Sequence, residues 1–342
     1  MQAGRLRDRV RRGRLAALVV AAGVLLGGCA RHAPQDTLKP AGPLSHKIDN
    51  LFFLTFWIAV VVFVVVEGGI VLAVLRGRHR ARRDPEAIPA QTHGHLPIEI
   101  TWTVIPAILL LALAVPTVKT IFDLARKPKG DPLEITVVGH HWWWEYRYPS
   151  LGVVTANELH IPTDRPVYLD LESVDVIHSF WVPKLNGKRD VVPGRVNHLN
   201  LRAVRPGTYY GQCVEYCGAS HANMRLRAIA QTPADFRRWV AGQRRGPPTP
   251  TAMAAQGLAV FRAKPCIGCH TISGISEGNV GPNLTHVQSR TTFAGAIFPM
   301  TPQNLAAWLR DPPGEKPGSR MPNLHLTEDE IAKLVAYLET LK

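Results

Sequence analysis

The stretch C-V-E-Y-C-G-A-S-H-A-N-M, Cys213 to Met224, crowds two thiols, an imidazole and a thioether into one short segment. A disulfide would use the two cysteines alone, and in an exported chain that is the default pairing. Thiolate, imidazole and thioether together form the ligand set that favours copper. Thiolates and imidazoles could also close a structural zinc site, to which a thioether adds little. Either metal needs one more strong ligand, and His178 in D-V-I-H-S-F-W-V-P, at a strand end, is the natural one. A pair of coppers would use the whole set: two bridging thiolates, one histidine per metal, and weak axial groups. Spreading one electron over both metals keeps the geometry nearly fixed between redox states, which suits electron transfer. A second cluster, C-I-G-C-H from Cys266 to His270, is the attachment sequence for c-type haem. Its thiols Cys266 and Cys269 bond the porphyrin vinyl groups, and His270 reaches the iron. Without the histidine a bare C-x-x-C would read equally as a redox pair or a zinc ligand.

These side chains need elements to hold them. Residues 1–28 read as a leader: Arg5, Arg7, Arg9, Arg11, Arg12 and Arg14 precede a short apolar run that ends in L-L-G-G-C-A. Small residues before Cys29 resemble a bacterial lipobox, which implies cleavage and acylation of Cys29. The segment 29–122 holds two apolar runs, predicting membrane-spanning helices over about 50–75 and 101–122. Glu67 inside the first is costly in lipid and is expected to face a protein partner or water. Between the runs lies R-G-R-H-R-A-R-R, read as a loop retained in the cytoplasm. Both outer ends of the hairpin then face the exported side.

Residues 123–243 alternate in strand fashion, as in L-E-I-T-V-V-G-H-H-W-W-W-E-Y-R-Y and V-Y-L-D-L-E-S, with turn signals such as L-N-G-K between the runs. Short strands at this spacing predict a β-sandwich or Greek-key barrel. R-R-G-P-P-T-P-T, 244–251, reads as a stiff extended linker. Residues 252–342 turn helical, and Thr327 with Glu330 predicts a capping box at the last helix. The chain of 342 residues carries a formal charge of +14. Much of the surplus lies in the leader and the inter-helix stretch, so it reads as topological signalling. No basic stripe interleaves with aromatics, which excludes a nucleic-acid role.

The copper motif, C-x-E-x-C-x-x-x-H-x-x-M with an upstream histidine, resembles the dinuclear CuA site of cytochrome c oxidase subunit II. That resemblance implies a cupredoxin-like Greek-key domain between the membrane hairpin and the all-α domain. It implies Cys213 and Cys217 as bridging ligands, His178 and His221 as one ligand per copper, and Met224 and the Glu215 carbonyl as weak ligands. It also implies a magnesium site shared between the Glu215 side chain and subunit I. G-H-H-W-W-W-E-Y is similar to the family's aromatic segment G-H-Q-W-Y-W, which makes Trp142 the point where electrons enter. His141 stands where the family has glutamine. At least one of the three tryptophans is expected to be core packing. E-I-T-W-T-V-I-P-A resembles the start of the family's second helix and places Glu99 at the mouth of a proton channel in subunit I. Its alternative is a solvated carboxylate at a membrane edge.

The C-terminal part resembles class I cytochromes c. G-S-R-M-P-N-L matches their methionine loop and implies Met321 as the sixth iron ligand, with Met300, His286 and His325 as rivals. G-P-N-L at Gly281 resembles the segment that supports the proximal histidine. Together the two halves are similar to subunit II of a caa-type oxidase, in which donor and acceptor are fused. This implies a proton-pumping complex in the bacterial plasma membrane. Its partners would be subunit I and other oxidase subunits, and its donor an external cytochrome or a quinol–cytochrome c reductase. Both cofactor domains would lie on the periplasmic or extracellular side. A nitric-oxide reductase subunit carrying CuA is the alternative. Nitrous-oxide reductase shares the copper spacing without such a hairpin, and quinol oxidase subunits lack the cysteines.

Overall fold

The structure, a computed structural model, describes residues 33–83 and 93–342, together with positions 13, 17, 18, 21 and 23. Cys29 and the leader cleavage site lie outside the described residues. Helix α1 spans Pro43–Arg83 and α2 spans Leu96–Ala125. Each has an apolar stretch that is exposed and a length sufficient to cross a bilayer. The sequence reading of 76–83 as a loop needs correction, because these residues continue α1. Arginine and alanine are good helix formers, and Arg80, Arg82 and Arg83 in the last turn complement the helix dipole.

The outer ends of both helices are tied to the β domain. Lys47 pairs with Asp123 at 2.7 Å, joining the two helices. Asn200 Nδ2 donates to the carbonyls of Leu124 (2.6 Å) and Arg126 (3.0 Å) at the end of α2. Ser45 Oγ donates to the Lys184 carbonyl at 2.7 Å. The β domain therefore stands on the helix pair through hydrogen bonds from strand residue Asn200 and to the loop carbonyl of Lys184.

Ten strands make that domain. They are β1 (Leu133–His140), β2 (Trp143–Tyr148), β3 (Val153–Ala156), β4 (Glu158–Pro162), β5 (Val167–Ser173), β6 (His178–Trp181), β7 (Arg189–Val191), β8 (Asn197–Leu201), β9 (Gly207–Cys213) and β10 (Arg225–Gln231). One sheet has the order β3-β2-β1-β5-β8 and the other β4-β10-β9-β6-β7. The pairs β1/β5 and β4/β10 are parallel, and the others are antiparallel. Leu133, Ile135 and Val137 alternate inward from β1 and share one core with Leu169, Leu171, Phe180 and Leu226. This bears out the expected β-sandwich. The long alternating run 133–148 is not one strand but a hairpin: His140 pairs with Trp143, leaving His141 and Trp142 at its tip. A helix that the sequence reading left unassigned, α3 (Pro233–Gln243), closes the domain. Thr232 caps it by accepting from Asp235 N, and Phe236 and Val240 are buried.

No helix or strand interrupts 244–251. The C-terminal domain follows with α4 (Ala252–Ala263), α5 (Cys266–Cys269), α6 (Pro302–Arg310), α7 (Pro312–Glu315) and α8 (Glu328–Leu338). The α8 capping box forms as expected, with Glu330 N donating to Thr327 Oγ1 and Thr327 N to Glu330 Oε2. Helices α4 and α8 cross closely at Gly257, where a Cβ would lie 2.0 Å from the Lys333 carbonyl. Phe261, Leu305, Ile331, Leu334 and Leu338 form the core beneath them.

Candidate functional site

Strand pairing brings the sulfur and nitrogen donors together. Cys213 ends β9, His178 opens β6, and these strands pair with Phe180 opposite Cys213. The remaining donors lie in the β9–β10 loop, which turns at Gly218 (φ +108°) and is closed by Cys213 N donating to the Met224 carbonyl at 2.9 Å. The Cys213 and Cys217 sulfurs stand 3.8 Å apart. His178 Nδ1 is 3.9 Å from the Cys213 sulfur, and His221 Nδ1 is 3.5 Å from that of Cys217. Met224 Sδ lies 3.9 Å from the Cys217 sulfur, and Cys213 Sγ donates to the Glu215 carbonyl at 3.3 Å. Thus the copper donors named from the sequence gather around the two sulfurs: one ligand atom each from His178, Cys213 and Cys217 lies within 4.8 Å of the others, and His221 and Met224 stand against Cys217.

Both cysteines are free thiols, and their separation is far beyond the ~2.05 Å of a disulfide. Met224 is fully buried, its thioether against the Cys217 sulfur. A zinc site of thiolates and imidazoles leaves the thioether and the carbonyl idle. A pair of coppers uses them, so the donor set fits copper. Glu215 itself is exposed.

Electrostatics favour an anionic sulfur. The hydrogen bond between the two thiols draws Cys213 far below its ordinary value and pushes Cys217 up. Burial pulls His178 down, but the Asp175 carboxylate and Cys213 outweigh it and raise the imidazole on balance. Asp175 Oδ1 receives His178 Nε2 at 2.8 Å, which fixes Nδ1 toward the sulfurs. Burial opposes ionisation of Asp175, yet the bonds from His178, Val176 N and His141 N bring it to about 2. Asp175 was not singled out from the sequence.

Of the three tryptophans, Trp144 is fully buried core, and Trp143 is buried and stacks on His140 at 4.0 Å between ring centroids. Trp142 alone is partly open. Its Nε1 donates at 2.9 Å to the carbonyl of Cys217, itself a candidate copper ligand. Over its other side lies the C-terminal domain, where a Cβ on Gly318 would come within 2.9 Å of the ring. His141 Nδ1 accepts from the Arg320 guanidinium at 2.7 Å. The same nitrogen lies 3.1 Å from Asp175 Oδ2, and burial lowers the proton affinity of this imidazole against the pull of that carboxylate.

In the C-terminal domain His270 follows α5 directly. Its Nδ1 donates to the Pro282 carbonyl at 2.8 Å, and a Cβ on Gly281 would lie 2.5 Å from its Cε1. The segment G-P-N-L therefore orients the imidazole and leaves Nε2 for an iron. Burial lowers the proton affinity of His270, which favours the neutral imidazole. Cys266 and Cys269 are free thiols beside it, the residue types that a covalent haem needs. Met321 and Met300 both rest half-buried on the same core. The rival His286 is engaged through Nε2 with the Arg245 carbonyl at 3.0 Å. Glu99 does not join either centre. It lies in the first turn of α2, roughly 39 Å of helix from Ala125 at 1.5 Å per residue.

Comparison with known proteins follows this division of the chain. Residues 33–120 match the family described as cytochrome c oxidase subunit II, transmembrane domain, and residues 151–230 match its periplasmic domain. Residues 254–342 match cytochrome c. Cytochrome c oxidase subunit 2 of Alkalihalophilus pseudofirmus is 38% identical over 93% of this chain and 94% of its own length. The subunit 2 of Bacillus subtilis is 35% identical over 97% of this chain and 99% of its own. A quinol oxidase subunit 2 of the same organism is 31% identical over 63% of this chain and 68% of its own.

Proposed function

Because the chain belongs to the cytochrome c oxidase subunit II family and ends in a cytochrome c domain, we propose that it carries single electrons from a covalent haem c, past Trp142, to a dinuclear CuA centre, which passes them to subunit I of a haem–copper oxidase. Oxygen reduction and proton pumping belong to subunit I. The family implies a copper centre and a haem c, and the chain is a membrane subunit with a periplasmic domain. On this reading that membrane is the bacterial plasma membrane.

The observation that carries the reading is the convergence of two thiols, two imidazoles, a thioether and a carbonyl, with Trp142 bonded to the Cys217 carbonyl. Bound copper would supply a site whose geometry barely changes with oxidation state. The chain's own part is to hold that geometry. The β6–β9 pairing fixes His178 against Cys213, Asp175 sets the imidazole's tautomer, and Met224 excludes water. Cys266, Cys269, His270 and Met321 would hold the haem. Glu215 would contribute to magnesium at the subunit I boundary, and Glu99 to proton uptake at the opposite membrane face.

Stopped-flow reduction of the purified complex tests this order. Haem absorbance should change first and copper absorbance after it. Replacing Trp142 with alanine should slow only the second phase. Copper reduced as fast in a chain whose haem stays oxidised contradicts the route.

A further inference from the structure

Strand β4 carries a carboxylate that the relay does not use. Glu158 is fully buried, although its partners belong to the other domain. Its Oε1 accepts from Thr291 N (2.9 Å), Thr291 Oγ1 (2.5 Å), Thr292 N (2.9 Å) and Thr292 Oγ1 (2.8 Å). Among the described residues every hydrogen bond to this carboxylate comes from those two threonines. Arg290, itself buried, reaches from the same segment to Thr155 Oγ1 on β3 at 3.3 Å and places a positive charge near Glu158. A carboxylate leaves water only where donors of this number replace it.

The same two domains meet again around Trp142. Lys316 Nζ donates to the carbonyls of Trp142 (2.6 Å) and Ala294 (2.8 Å). Ser220 Oγ donates to the Pro317 carbonyl at 2.6 Å, and Arg225 N to that of Gly295 at 3.0 Å. Two separated anchor points define one orientation, in which Gly318 (φ +85°) lies on the Trp142 ring.

We propose that this face of the β domain is a recognition surface for the chain's own C-terminal domain, with Glu158 as the positioning residue that sets the docked pose. The tether 244–251 already supplies a high effective concentration, so the carboxylate is needed for register more than for affinity. The docking stands on hydrogen-bond geometry. Only its consequence, a shortened path from haem to Trp142, rests on the relay reading above.

The test is hydrogen exchange of the full chain in its purified oxidase complex, comparing wild type with Glu158→Ala and, from the other side, with the double variant Thr291→Val, Thr292→Val. The decisive probe is the Arg225 amide, which lies on the interface but bonds neither Glu158 nor the threonines. Its exchange should quicken about tenfold, the factor equivalent to 1.4 kcal/mol. Amides of β1 and α8 should keep their protection, which shows both domains folded. Glu158→Gln, retaining one acceptor oxygen, should fall between. Unchanged Arg225 exchange in both the alanine and the double-valine variants overturns the proposal. If Glu158→Ala also loosens β1, the double-valine variant decides. Faster Arg225 exchange with an unaltered rate of copper reduction would uphold the docking surface and contradict the relay it serves.

Discussion

Replacing Asp175 with asparagine should weaken copper binding while leaving every sulfur and nitrogen ligand in place. In the native chain the carboxylate accepts from His178 Nε2 at 2.8 Å, Val176 N at 2.8 Å and His141 N at 2.7 Å. It is held at about 2 against an ordinary 3.8. At 1.36 kcal/mol per pKa unit, these donors favour the ionised form by roughly 2.5 kcal/mol. The side chain is only 10% exposed, so little of this is lost to solvent screening. An amide has one acceptor oxygen, so its NH2 must confront either His178 Nε2–H or the His141 N–H. The expected loss is therefore about 2 kcal/mol, within the ~10–100-fold range typical for a group that orients a metal-bound histidine. Copper competition against a graded chelator on the purified complex measures it. A change in affinity below about twofold would refute the role given to Asp175. The sign of the pH effect is fixed as well: stabilisation by Asp175 is complete above 3.8 and is lost as pH falls through about 2.

Other outcomes follow from the same contacts. Burial holds Lys316 at about 7 instead of 10.5, so the undocked or unfolded chain binds the extra proton between those values. Thermal stability of the C-terminal domain should therefore rise with pH across that window, and Lys316→Met should flatten the slope. Gly281→Ala would bring a methyl within 2.5 Å of His270 Cε1, and haem content by pyridine haemochrome should drop with the copper content unchanged. Glu330→Ala removes half of the α8 capping box and should cost about 1 kcal/mol, read as a lower melting temperature of that domain. Reduced cytochrome c should drive oxygen uptake by the complex and little nitric-oxide consumption. The reverse pattern would reassign the terminal acceptor.

Much of this site was legible in the sequence because its chemistry is local. Cys213, Glu215, Cys217, His221 and Met224 lie within one loop, and C-I-G-C-H is contiguous, so residue type and spacing named the donors without a fold. His178 was reachable because strand text placed it at a strand end. Asp175 was not, since a carboxylate near a histidine has no distinctive spacing until the loop folds. Glu158 and Lys316 were invisible for a stronger reason. Their partners lie 133 and 174 residues away, and a buried charge is recognised only by what surrounds it. The basic stretch 76–83 was misread because charge marks topology but does not break a helix rich in arginine. The hairpin at His141–Trp142 was hidden inside continuous alternation, which carries no turn signal of its own.

Metal analysis with electron paramagnetic resonance on the purified oxidised complex reaches the central claim most directly. Two coppers per chain are expected, with the unpaired electron spread over both nuclei and the Cys213 and Cys217 thiols unlinked. Zinc in the site, a single localised copper, or a Cys213–Cys217 disulfide in the active complex would contradict it.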